Sequence, residues 1–176
     1  MSLQLLRRVR LRKVLDVYSK FLDALEKVIG AVIVTLLFVS FVIIFAQVIT
    51  RYIFASGFPW MEEAAIFMSI WMAFLGAAVA IRKRKHMYID IIEAKLPHLP
   101  RMTLNVLSDL LMIAFFVIMI VIGHSYATGN RTNLSAGLSL SMMYVYFSLV
   151  VGMAIAVLYA VEIMLKRLVT GKVHPE

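Results

Sequence analysis

The chain has 176 residues, of which 62% are hydrophobic, and this share is well above that of a soluble domain. The mean hydropathy of +0.92 predicts an integral membrane protein, and the length allows one compact membrane domain without a second soluble one. The absence of cysteine excludes disulfides and thiol chemistry, and the net charge of +8 favours anionic phospholipid over nucleic acid because the cations gather at membrane exits.

Residues 1–27 are basic, and their pattern predicts an amphipathic helix that lies on the cytoplasmic membrane surface. Apolar side chains recur at three- and four-residue spacing at Leu11, Val14, Tyr18, Phe21, Leu25 and Val28. A charged row with the same spacing consists of Lys13, Asp16, Lys20, Asp23 and Lys27. In that row each aspartate precedes a lysine by four residues, which is the favourable order for an ion pair. A solvated helix that packs on a partner protein is the alternative.

The first predicted span covers residues 28–50 and holds no ionisable side chain. Arg51 follows at its outer end. The guanidinium there can extend to the membrane surface, or it can pair with a glutamate across the short loop that follows.

The start of the second helix is marked by four residues. Pro59 suits the first turn, where its missing N–H costs nothing, and Trp60 suits a membrane–water boundary. Glu62 and Glu63 fall in the same turn, where the positive end of the helix dipole favours carboxylates. The 18 residues between Glu63 and Arg82 carry no charge, which is about enough to cross a hydrocarbon core of ~30 Å.

The second predicted span, 64–81, carries small side chains at i,i+4 spacing. This row consists of Ala65, Ser69, Ala73 and Ala77. Small residues let another helix backbone approach closely, which is how helices associate in lipid. The row is therefore predicted to be buried in a helix contact.

The loop 82–100 begins with four consecutive cations and is predicted to contain a second amphipathic interfacial helix. His86 and Asp90 are four residues apart, and we expect a local helix-stabilising pair. A metal site would need more ligands than one histidine and one carboxylate.

The third and fourth predicted spans cover residues 110–127 and 140–161. The fourth span repeats the small row at Ser148, Gly152, Ala156 and Ala160. The second and fourth spans are therefore candidates for a close mutual contact, or for a shared face towards a partner.

Charge distribution predicts the orientation of the spans. Sixteen Lys and Arg residues fall in the two terminal segments and the 82–109 loop, against two in the other loops. This positive-inside bias places both termini in the cytoplasm. The predicted fold is an all-α integral membrane protein, with a surface helix at 1–27 and a four-helix membrane domain at 28–176.

Three short motifs flank the small-residue-rich second span in a fixed order. They are RY at 51–52, WMEE at 60–63 and HMYID at 86–90. This ordered set resembles the small membrane subunit, of DctQ type, of the tripartite ATP-independent periplasmic (TRAP) transporters. The resemblance extends from about residue 51 to residue 100, and the four-helix layout agrees with it.

The resemblance implies an accessory subunit, not an enzyme, in the bacterial inner membrane. In that family a periplasmic protein binds an organic acid, such as a sialic acid or a C4-dicarboxylate, for sodium-coupled import. The large membrane subunit carries the substrate and sodium sites, so no cofactor is expected in this chain. The small subunit braces the large one and helps dock the binding protein. The candidate interface residues are Arg51, Trp60, Glu62, Glu63, Ala73, Ala77, His86, Asp90, Gly152 and Ala156.

Other function classes fit the sequence less well. An enzyme would need a cysteine, a histidine cluster or a phosphate-binding glycine loop, and the chain has none of them. A stand-alone ion-coupled transporter usually places ionisable residues or helix breaks at mid-membrane, whereas every carboxylate and proline here lies at or outside a predicted span end. A four-helix assembly or regulatory subunit of another membrane complex is the alternative.

Overall fold

Four long helices make up the computed structural model of the chain. The backbone is described for residues 2–55, 57–83 and 98–170, and the side chains for 15–55, 57–83 and 103–167. The helices are α1 (Ser2–Ile53), α2 (Pro59–Arg82), α3 (His98–Gly129) and α4 (Met143–Thr170). Each is long and apolar enough to cross a membrane, which confirms the predicted all-α membrane fold. The predicted interfacial helix after residue 85 lies outside the described residues.

α1 is one uninterrupted helix of 52 residues. No helix boundary falls between residues 27 and 28, so the amphipathic segment and the first span form one continuous rod. At 1.5 Å per residue the rod is about 78 Å long, whereas a hydrocarbon core is ~30 Å thick. Much of α1 therefore lies outside the hydrocarbon.

α2 begins where the sequence predicts. The backbone of Phe58 is extended, and Pro59 occupies the first helical turn. The helix ends at Arg82, and the N–H of Lys83 donates a hydrogen bond to the Val79 carbonyl at 3.1 Å. The ordered end of the helix therefore fixes the position of Arg82 at this end of the bundle.

α2 and α4 form the middle of the bundle. α4 packs on α2 and α3, while α1 packs on α2 and, over a shorter stretch, on α4. One buried cluster joins α1, α2 and α4 through Leu22, Ile29, Leu75 and Tyr159. A second joins α2, α3 and α4 through Ala78, Phe116, Ala156 and Ala160. The helices therefore lie in the order α1, α2, α4, α3.

The small row of α4 makes the predicted close contact with α2. Its members Ser148, Gly152, Ala156 and Ala160 are all buried. At Gly152 an added Cβ would lie 2.8 Å from the Cβ and 2.9 Å from the carbonyl oxygen of Phe74. Only glycine fits at this crossing.

The small row of α2 does not take part in that contact. Ala65 is buried, but Ser69, Ala73 and Ala77 are exposed in the chain, so their predicted burial between its helices is wrong. α2 faces its neighbours through Leu75 and Ala78 instead. Periodicity shows which residues align on a helix but not where the neighbouring helices lie. A partner-facing role for this row stays a prediction.

Replacing Gly152 with Ala is expected to destabilise the chain by about 1–3 kcal/mol, because the added methyl group meets the backbone of Phe74, which cannot rotate away. Gly76→Ala is the matched control, since nothing lies within 4 Å of its added carbon. Unfolding of the full-length chain in mixed dodecylmaltoside–SDS micelles measures both. Equal stability of the two variants would contradict the close contact.

Candidate functional site

Charged side chains from α1 and α4 converge on Arg82, the last residue of α2. Its Nε donates a hydrogen bond to Glu162 Oε2 at 3.0 Å, and its Nη1 donates to Glu26 Oε2 at 2.7 Å. Its Nη2 donates to Asp23 Oδ1 at 2.6 Å and to the Ser19 carbonyl at 3.3 Å. One guanidinium group therefore joins α1, α2 and α4.

Two lysines complete the group. Lys83 Nζ lies 3.3 Å from Glu26 Oε1, and Lys166 Nζ lies 2.8 Å from Glu162 Oε1. We call the group the Arg82 cluster, and its members are Arg82, Lys83, Lys166, Asp23, Glu26 and Glu162. Its three cations balance its three carboxylates, so burying part of it leaves no net charge away from water.

Burial is deepest at the centre of the cluster. The side chains of Arg82 and Glu162 are 10% and 2% exposed, whereas that of Asp23 is 60% exposed. The ring of Tyr159 lies beneath the guanidinium, 5.2 Å from Cζ, and adds a cation–π contact. An arginine suits this position because its planar group has five donors in a fixed geometry, whereas a lysine ammonium has three on one atom.

A second buried ion pair ties α3 to α4. Arg167 Nη1 lies 2.9 Å from Asp109 Oδ2, and the two side chains are 1% and 0% exposed. The buried Asn105 precedes Asp109 by four residues on the same face of α3. With the Arg82 cluster, this pair means that all four helices are joined by charged contacts at one end of the bundle.

At the opposite end, Glu63 holds the loop between α3 and α4. Its Oε2 accepts a hydrogen bond from the N–H of Leu138 at 2.8 Å. Gly137 is pressed against the start of α2, where an added Cβ would lie 2.9 Å from both Pro59 C and Trp60 N. We call this contact the Glu63 clamp, and it seats the loop 130–142 on the first turn of α2.

Replacing Glu63 with Ala is expected to loosen the loop, because the N–H of Leu138 loses its acceptor. Hydrogen–deuterium exchange on peptides that contain Leu138 should then be faster. Glu62→Ala is the matched control, since Glu62 is exposed and lies in the same turn. Equal exchange in the two variants would show that the clamp does not order the loop.

The structure separates the predicted interface residues. Arg51, Glu62 and Trp60 are exposed, and neither Arg51 nor Glu62 forms an ion pair within the described part of the chain. The pairing considered for Arg51 is therefore not formed there. Gly152 and Ala156 are buried, whereas Ala73 and Ala77 are exposed. His86 and Asp90 lie outside the described residues.

The sequence pattern does not indicate which charged residues the fold brings together. Arg82 is one of the four cations that mark the cytoplasmic side, and Glu162 and Asp109 are not among the predicted site residues. Their positions could have indicated a role, because Asp109 directly precedes one predicted span and Glu162 directly follows another. An acid beside so many apolar residues needs a partner. Among the described residues, no three His, Asp or Glu side chains are grouped so as to hold a metal ion.

Four helices that are each long and apolar enough to cross a membrane define a multi-pass membrane protein. The sequence model of the family described as tripartite ATP-independent periplasmic transporters, DctQ component, matches residues 40–170. The match covers most of the chain, so the chain belongs to this family of TRAP small permease subunits. The resemblance seen in the motifs is thereby confirmed, as is a place in the bacterial inner membrane.

Individual relatives agree with the family match. The chain is 26% identical to the sialic acid TRAP transporter small permease protein SiaQ of Vibrio cholerae over 138 residues, 78% of either chain. It is 27% identical to the C4-dicarboxylate TRAP transporter small permease protein DctQ of that species over 82 residues, 47% of this chain and 35% of the relative. It is 32% identical to the sialic acid TRAP transporter permease protein SiaT of Haemophilus influenzae over 104 residues, which are 59% of this chain but 16% of that longer relative.

Proposed function

We propose that this chain braces the large membrane subunit of a TRAP transporter and helps dock its periplasmic binding protein. The observation that carries the proposal is the family match over residues 40–170. The names of the relatives point to a sialic acid or a C4-dicarboxylate as the cargo. The transporter couples the import of this organic acid to sodium, and the sodium sites belong to the large subunit.

The distribution of charge supports a bracing role. Residues 28–50, 64–81 and 143–161 contain no Asp, Glu, Lys, Arg or His, so these spans offer no charged ligand for an ion or an organic acid. The Arg82 cluster instead fixes three helices to one another at a single end. The exposed small row of Ser69, Ala73 and Ala77 then offers the large subunit a face that one of its helices can approach closely.

The Glu63 clamp supports the docking role. A loop that is held by a carboxylate and pressed against α2 gives the outer end of the bundle a fixed surface. Leu134 and Trp60 are exposed on this surface, 64% and 40% respectively. Apolar side chains exposed on an ordered surface are suited to contact with a protein.

The proposal requires both termini to lie in the cytoplasm. Because of the charge asymmetry, reporter fusions after Gly57 and Ser135 should be active as periplasmic reporters. Fusions after Lys95 and Lys172 should be active as cytoplasmic reporters. A periplasmic reporter that is active after Lys95 would rule out this orientation.

Reconstituted vesicles test the function itself. Vesicles that contain the large subunit and the binding protein should take up the acid along a sodium gradient only when this chain is also present. Sialic acid and a C4-dicarboxylate, supplied separately with the matching binding protein, distinguish the two cargo types. Changing both Glu62 and Glu63 to Gln should lower uptake or assembly and leave the sodium dependence unchanged. Normal assembly with a shifted sodium dependence would overturn the accessory role.

A further inference from the structure

Four apolar side chains of α1 point away from the bundle near its Arg82 end. Val17, Phe21 and Val28 are 70%, 60% and 60% exposed, and Ala24 is exposed as well. Their spacing of four, three and four residues places them on one helix face. We call this face the α1 ridge. A continuous apolar ridge requires cover by lipid or protein.

The α1 ridge is not the face that the sequence pattern selects. Of the apolar residues predicted to face the membrane, Tyr18 and Leu25 turn towards the bundle, where they pack with Leu22 and Ile29 against α2 and α4. Only Phe21 and Val28 of the described members belong to the ridge. This part of α1 therefore has two apolar faces, of which one is already covered.

Two lysines accompany the α1 ridge. Lys20 and Lys27 are exposed and seven residues apart, which places them on one line beside the ridge. Neither forms an ion pair with the described residues. Asp23, which precedes Lys27 by four residues, pairs with Arg82 instead, and the exposed Asp16 forms no ion pair with Lys20. The positive charge of both lysines therefore remains available.

Contacts with α4 fix the level of the ridge. The hydroxyl of Tyr18 donates a hydrogen bond to the Leu158 carbonyl at 3.1 Å. Leu158 lies one turn further into the uncharged span than Glu162, a member of the Arg82 cluster. This part of α1 thus lies beside the Arg82 cluster and does not project beyond it. The Arg82 cluster belongs to the first charged layer after the apolar spans, which is the level of the lipid headgroups.

We propose that α1 binds anionic phospholipid through the α1 ridge and its two lysines. The ridge enters the boundary between headgroups and acyl chains, and Lys20 and Lys27 contact headgroup phosphates and acidic headgroups. An apolar strip beside a line of available cations fits this surface in both polarity and charge. The proposal goes beyond the transport role and holds for the chain with or without its partner subunits.

Spin labels test the depth of the ridge, because the chain has no cysteine of its own. Phe21→Cys and Val17→Cys carry a label on the ridge, and Asp16→Cys carries one on the charged face. The full-length chain is placed in nanodiscs, alone and together with the large subunit. Collision rates with oxygen and with a water-soluble nickel complex should show lipid immersion at both ridge positions and water at the control. Nickel access at both ridge positions would overturn the proposal, as would loss of oxygen access there when the large subunit is added.

The lipids that purify with the chain test the charge preference. Extraction from bacterial membranes should enrich phosphatidylglycerol, and the variant Lys20→Gln/Lys27→Gln should lower the enrichment at least about twofold. Arg131→Gln is the matched control, since Arg131 is an exposed cation in the loop at the other end of the bundle. Equal enrichment in the lysine and Arg131 variants would overturn the preference for anionic lipid.

Discussion

Replacing Arg82 with Gln is expected to lower the free energy of unfolding of the full-length chain by about 3–5 kcal/mol, because it removes one partner of a buried ion cluster. The change leaves Glu162, whose side chain is 2% exposed, with Lys166 as its remaining cation in the Arg82 cluster. It also removes the two ion pairs that Arg82 makes with α1, since Glu26 and Asp23 both bond to the guanidinium.

Equilibrium unfolding in mixed dodecylmaltoside–SDS micelles measures this loss. Arg82→Lys keeps the charge but lacks the planar set of donors, so its stability should lie between those of the wild type and Arg82→Gln. Lys27→Gln is the matched control near the same membrane boundary, and as an exposed residue it should change stability by less than about 0.5 kcal/mol. A loss for Arg82→Gln no larger than that of Lys27→Gln would show that the cluster does not join the helices.

A paired substitution separates the ion cluster from general damage to the helix end. Adding Glu162→Gln to Arg82→Gln removes the most deeply buried of the carboxylates that the first change leaves without its arginine. The double variant should therefore regain part of the lost stability. Hydrogen exchange in the 15–29 part of α1 should be fast in the single variant and slower in the double one, because less unpaired negative charge then opposes packing.

The four spans could be predicted because uncharged runs of membrane-crossing length are a property of sequence alone. The same holds for the start of α2, where Pro59 can occupy only the first turn. The contact faces of α2 could not be predicted. Ser69, Ala73 and Ala77 have the spacing of a helix contact, yet the neighbouring helices lie on another side. The buried side of α2 depends on where α1 and α4 lie, and the spacing of residues along α2 carries no information about their positions.

The Arg82 cluster shows why the i,i+4 spacing of charges on α1 did not predict the actual ion pairs. Spacing predicted that Asp23 pairs with Lys27 on α1, but Asp23 bonds to Arg82, 59 residues away. An exposed i,i+4 pair contributes only about 0.3–0.5 kcal/mol. A bond to a shielded guanidinium is stronger, because less water competes for it and the charges attract more strongly at low dielectric. Interactions between distant helices therefore override the local preference.

The ion pair of Asp109 and Arg167 carries the other large expected effect. Each side chain is at most 1% exposed. Replacing Asp109 with Asn, or Arg167 with Met, should each lower the free energy of unfolding by about 3–5 kcal/mol, since either change removes one ion of a buried pair and leaves the other in place. Ser108→Ala is the matched control, because Ser108 is exposed beside Asp109 on α3. Its effect should stay below about 0.5 kcal/mol.

The double variant Asp109→Asn/Arg167→Met should be more stable than either single variant, because neither ion of the pair is then left without the other. A double-mutant cycle in mixed micelles gives the coupling energy of the pair, separate from the other contacts that each side chain makes. If the two losses simply add, the pair contributes no coupling. The joining of α3 to α4 would then rest on the apolar cluster of Phe116, Ala156 and Ala160. A strong coupling would instead mean that charge, and not apolar packing alone, holds α3 in the bundle.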